Sequence, residues 1–138
     1  MIRVVVDTNV LVSALISPAG NEALILLAVR QGLVKLSFPE EILQEYAEVL
    51  VRPKFGFPPD EIETLIDMLR RQGEAVRDLQ PLASSLPDSG DDKFLACAKA
   101  AGVDFIVTGN KRHFPQRACG AIRVVNGAEL LDRITLEI

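Results

Sequence analysis

The stretch "MIRVVVDTNVLVSALIS", residues 1–17, decides the fold and poses the first chemical question. Residues 2–6 are short, rich in β-branched side chains and lack polar alternation. That is the pattern of a strand buried on both faces of a parallel sheet. Residues 9–16 suit a short helix, which the Ser17–Pro18–Ala19–Gly20 break stops. Between the two stands Asp7, followed by Thr8 and Asn9. Burying a carboxylate beside so apolar a run costs on the order of several kcal/mol unless something compensates the charge.

Reading outward, strands and helices alternate. Residues 21–32 form a helix pattern with Asn21 as its N-cap and Gly32 as its stop. Residues 33–38 read as a second strand. The next helix, "PEEILQEYAEVLVR" (39–52), has Pro39 and two glutamates at its positive end. Another amphipathic helix, 58–73, closes on Gly73, and residues 80–90 are a loop rich in Pro, Ser and Gly. "DDKFLACAKAAG" (91–102) returns to helix, with Asp91 as a natural N-cap and Gly102 as the C-terminal signal. Residues 103–108 and 121–126 are further strands, and 128–134 a closing helix. This alternation predicts an α/β domain, a parallel sheet covered on both faces, and one domain over residues 1–138.

Composition is that of an ordinary globular chain: 49% of residues are apolar and 25% charged, which argues against disorder. No apolar run reaches the ~18 residues of a membrane span, and Asp7 interrupts the N-terminal run that a signal peptide would need. A cytoplasmic protein is therefore expected. Cys97 and Cys119 have no metal-like spacing and read as reduced structural residues. The net charge of −4 gives no global support for nucleic-acid binding, so such a role needs a local basic patch.

In a parallel sheet, ligands bind where strands exit at their carboxyl ends. Strand one exits into Asp7-Thr8-Asn9 and the 103–108 strand into Thr108-Gly109-Asn110. Capping the next helix would by itself explain Asp7. Two other acids change the balance. Glu45 lies on the border between the buried and solvated faces of its helix; alternatively it is a surface residue pairing with Arg52. Capping explains Asp91 but leaves Asp92 unexplained. If Asp7, Glu45 and Asp92 converge, they cannot all stay ionised without a cation. A hard ion, Mg²⁺ or Mn²⁺, would compensate them and support metal-assisted cleavage of a phosphodiester.

The blocks "VVVDTNVLVSAL", "EEILQEYAEVL", "RPKF", "DDKFLACAKAAGVDFIVTGN" and "KRHF", in this order over nearly the whole chain, resemble a PIN-domain ribonuclease. That is the fold of the VapC-type toxins of toxin–antitoxin pairs, and the sequence looks in particular like the subgroup of small toxin-like PIN proteins with the "RPKF" and "DDKFL" blocks. The resemblance implies a three-layer α/β/α fold with a five-stranded parallel sheet, Mg²⁺- or Mn²⁺-assisted attack of water on RNA, a homodimer, and a small antitoxin that blocks the site. It implies catalytic and metal-binding roles for Asp7, Glu45 and Asp92, with Thr8 and Asn9 as polar companions of Asp7; Thr8, Asn9 and Thr108, at the two strand exits, are candidates for binding the substrate. The family's usual fourth acid falls on Asn110, which can offer a metal only a neutral carbonyl oxygen.

Residues 105–128 contain no acid but hold Lys111, Arg112, His113, Arg117 and Arg123. This basic segment starts beside Asn110, so Lys111 and Arg112 are candidates for binding RNA phosphates; a solvated loop is the plainer reading. His113 reads as a turn or RNA-contact residue. Nucleotide-binding motifs GxGxxG and GxxxxGK[ST] are absent, and Asp7-Thr8-Asn9-Val10 fails the DxDxT pattern of phosphohydrolases. A receiver domain would need an acidic pair near strand one. The remaining alternative is a catalytically weak PIN module that binds RNA or a partner.

Overall fold

The computed structural model describes residues 1–137. Its five strands are β1 (Ile2–Val6), β2 (Val34–Phe38), β3 (Glu74–Ala75), β4 (Phe105–Val107) and β5 (Arg123–Val125). All neighbouring pairs are parallel, in the order β3-β2-β1-β4-β5. The helices are α1 (Thr8–Ile16), α2 (Asn21–Arg30), α3 (Glu40–Leu50), α4 (Pro59–Gln72), α5 (Asp92–Ala101), α6 (Gln116–Cys119) and α7 (Gly127–Glu137). Helices α1, α2, α3, α4 and α7 touch one another as a connected group, whereas α5 lies across β1, β2 and β4. This is the three-layer α/β/α arrangement that the alternation predicts.

The apolar strands β1 and β4 fix the centre. Val4, Val5 and Val6 of β1 and Phe105, Ile106 and Val107 of β4 are buried, as strands covered on both faces must be. They pair in the register Val4↔Phe105, Val5↔Ile106, Val6↔Val107. One apolar cluster runs from Ile2 to Ile134. Tyr46 is fully buried, and its hydroxyl donates to the Val6 carbonyl at 2.5 Å, fastening α3 to the end of β1. Where α4 returns towards β2, backbone and Phe38 crowd Gly73. A Cβ there would meet the Leu69 and Leu36 carbonyls at 2.6 and 2.7 Å, so only glycine fits. Both cysteines are free and buried, and burial pushes the Cys97 thiol up to about 12, leaving it inert.

Several local expectations shift. Gly20, not Asn21, is the N-cap of α2. Strand β3 has no counterpart in the sequence reading, because two residues carry no periodicity; pairing with Ser37 and Phe38 defines it. Asp91 stands at the N-cap position of α5, as expected, but its side chain makes no cap hydrogen bond. It ends a 3-10 turn, Ser89–Asp91, which Asp88 caps by accepting from the Gly90 amide.

Candidate active site

The strand order places β1 and β4 side by side, with β2 continuing the sheet on one side and β5 on the other. The crevice of a parallel sheet opens at such a switch point, and both exits named by the sequence meet there. Asp7 follows β1. Its amide donates to the Val107 carbonyl at 2.9 Å, and its side chain is buried. Capping does not account for it, since its carboxylate makes no cap hydrogen bond to α1. Instead Asp7 Oδ2 accepts from the hydroxyl of Thr108, also buried, at 2.8 Å. The Asn110 amide in turn donates to Thr108 Oγ1 at 3.1 Å, which fixes that hydroxyl.

The second acid at the crevice is Asp91, not Asp92. Asp92 Oδ1 accepts from the Leu86 amide and Oδ2 from the Ser85 hydroxyl, each at 2.8 Å, so this carboxylate anchors the preceding loop. Asp91 Oδ2 is buried and has no hydrogen-bond donor. The Nδ1 atom of His113 stands 3.2 Å from it without the alignment of a hydrogen bond. The physical reason is helical phase. Successive helical residues point about 100° apart, so only one of two adjacent aspartates can face the crevice.

Electrostatics mark the same pair. Burial raises the pKa of Asp7; the Thr108 hydroxyl and His113 partly oppose this, while Glu45 adds to it. Burial first, and the charge of Asp7 second, push the Asp91 carboxyl up to about 6, against the pull of His113 and Lys93. Neighbouring acids with raised pKa values are the mark of a site short of positive charge.

Glu45 is half-buried on α3, as its border position predicts, but its partner is not Arg52. One carboxylate oxygen accepts from the Thr8 hydroxyl and the other pairs with Lys93 Nζ at 2.6 Å. Asn9 is exposed. Asn110 is exposed as well, and its Oδ1 accepts from the Arg112 amide at 3.2 Å, capping the 3-10 turn Lys111–His113. Lys111 is drawn to Glu129 at 2.5 Å, whereas Arg112 is exposed on the same turn. Lys93 and the inward role of Asp91 escape the sequence reading; a lysine two residues after an acid on a helix start was the available signal.

The donor set suits a hard divalent ion. It offers carboxylate oxygens, one of them buried and without a hydrogen bond. Among the described residues no three His, Cys, Asp or Glu side chains stand together as a closed cage. Mg²⁺ does not need one, because it usually keeps several waters and takes one or two carboxylates together with substrate phosphate. Asp7 and Asp91 fit that role. Among the described residues no single helix is long and apolar enough to cross a membrane.

No curated protein and no solved structure matches the chain significantly. The family model of the PIN domain matches residues 3–112, a span holding both strand exits and Asp7, Glu45, Asp91 and Asp92. With the all-parallel five-stranded sheet and the acidic crevice at β1 and β4, this match settles kinship: the chain belongs to the PIN-domain family.

Proposed function

We propose that this chain is a Mg²⁺- or Mn²⁺-dependent ribonuclease whose metal is held chiefly by Asp7 and Asp91. PIN domains are generally nucleases, typically use divalent ions and bind RNA. The observation that carries the reading is the Asp7–Asp91 pair: two neighbouring carboxylates that cap nothing, one with a buried oxygen lacking a donor. A divalent ion there supplies positive charge to a phosphoryl group and lowers the pKa of water. The protein contributes orientation. Thr108 holds one oxygen of Asp7 and leaves the other for a ligand. Burial keeps both carboxylates in a medium where charge interactions exceed those in bulk water. Arg112, exposed on the turn after Asn110, is the more available of the two candidate cations for flanking phosphates, since Lys111 is paired with Glu129.

Likeness in the "RPKF" and "DDKFL" blocks supports the finer reading, a toxin paired with a small antitoxin. The decisive experiment compares Mn²⁺-dependent cleavage of labelled single-stranded RNA by the wild type and Asp7→Asn. Loss of about 100-fold or more is expected, the several kcal/mol that metal assistance supplies. Equal rates sink the assignment and leave the binding module. Growth arrest on expression, relieved by the same substitution, tests the toxin role.

A further inference from the structure

Glu45 faces inward, and what it holds is a lysine. Lys93 Nζ donates to Glu45 Oε1 at 2.6 Å and to the Gly90 carbonyl at 2.5 Å. An ammonium group carries three donors, so one hydrogen remains. The side chain is 24% exposed, which leaves that hydrogen a route to solvent. The stem lies against Phe94, with Nζ 5.1 Å from the ring centroid. Its charge also reaches the crevice, where it favours the ionised form of Asp91. A free surface lysine would give up about 2 kcal/mol of rotamer entropy to hold a ligand. Lys93 is already held, from the α3 side by Glu45 and from its own turn by Gly90.

We propose that Lys93 is the residue that grips an RNA phosphate at this crevice, and that Glu45 is a positioning residue that aims it. The proposal rests on the ribonuclease reading and adds the contact that would seat the strand beside Asp7 and Asp91. Glu45 is itself fixed from two directions: by the Thr8 hydroxyl, next in sequence to Asp7, and by the Tyr46 anchor to Val6. The ammonium is thereby tied to the same strand exit as Asp7. The plainer reading is that Lys93 only neutralises Glu45.

The two readings part in the salt dependence of binding. The probe is a fluorescein-labelled single-stranded RNA, titrated without divalent ions into Asp7→Asn, whose cleavage is disabled. Adding Lys93→Gln should weaken binding and lower the slope of log K against log salt by about 0.7, the value for one phosphate contact on a single strand. Lys93→Arg should keep the slope. If Lys93→Gln folds poorly, Glu45→Gln/Lys93→Gln removes both partners of the pair, and the same fall is expected. An unchanged slope and affinity in a folded variant overturn the proposal and return Lys93 to charge balance. If the wild type cleaves RNA with Mn²⁺ while Lys93→Gln cleaves and binds equally well, only this proposal fails. If the wild type neither binds nor cleaves RNA, the ribonuclease reading and this proposal fall together.

Discussion

Helices α5 and α7 begin in opposite ways. At α7, Asn126 Oδ1 accepts from the Glu129 amide at 2.9 Å, and Glu129 Oε1 accepts from the Asn126 amide at 3.0 Å. This is a reciprocal capping box in which two otherwise orphaned amides are satisfied. Glu129 also takes Lys111, and these contacts hold its pKa below the ordinary range. At α5, Asp91 caps nothing, has a buried oxygen without a donor, and is pushed up to about 6. Both are acids at helix starts, where capping is the usual use. A saturated carboxylate stabilises the fold, whereas one left short of donors in a crevice is available to a ligand. The neighbouring aspartates repeat the contrast within one turn, since both Asp92 oxygens have partners.

The largest effect expected from breaking this contrast is catalytic. Asp91→Asn should lower Mn²⁺-dependent RNA cleavage by about 100-fold or more, whereas Asp92→Asn should keep most of it. Equal losses in an oligonucleotide cleavage assay would erase the distinction between the two. Next comes binding: a divalent ion at 100 times its Kd should stabilise the wild type by about 2.7 kcal/mol, read as a rise in Tm. Asp7→Asn should show little of that rise.

Acidity gives a third test, in metal-free protein. A carboxyl whose folded pKa is raised binds its proton more tightly folded than unfolded. Stability therefore falls as pH rises from about 4 to about 6, and stays lower above that. Asp91→Asn escapes this loss. Its stability should match the wild type near pH 4 and exceed it at pH 8, by at most about 3 kcal/mol before solvent screening reduces the gap, read as a higher Tm at pH 8 only. The opposite sign would place Asp91 among the stabilising caps. The smallest effect belongs to α7, where Asn126→Ala should cost about 1 kcal/mol of stability and leave cleavage below the melting range unchanged.

Most of the architecture is legible along the chain because burial dictates it. The β-branched 2–6 run, the Gly73 and Gly102 stops and the polar strand exits each follow from local chemistry. Gly102, at φ 64°, adopts the left-handed turn a C-cap needs. What stays hidden depends on partners distant in sequence. Strand β3 exists through its pairing with β2. Glu45 selects Lys93 rather than Arg52 because α5 crosses the sheet beside it, a tertiary fact that no i,i+4 spacing carries. The choice between Asp91 and Asp92 turns on one residue of helical phase. The 3-10 turn at Ser89–Asp91 sets that phase, and sequence periodicity does not resolve helix starts so finely.

The hydroxyl bridge from Thr108 to Asp7 spans 101 residues, which has a consequence for biosynthesis. Asp7 leaves the ribosome before Thr108, which orients it and follows 101 residues later, just past β4. Strand β4 must also pair in parallel with β1, and such long-range pairing is slow to form. A growing chain therefore carries its first acid without the geometry that would let it act. On the proposed reading, the fold itself postpones nuclease activity until β4 and Thr108 have been made, and a fragment ending before residue 105 would be harmless to the RNA around it.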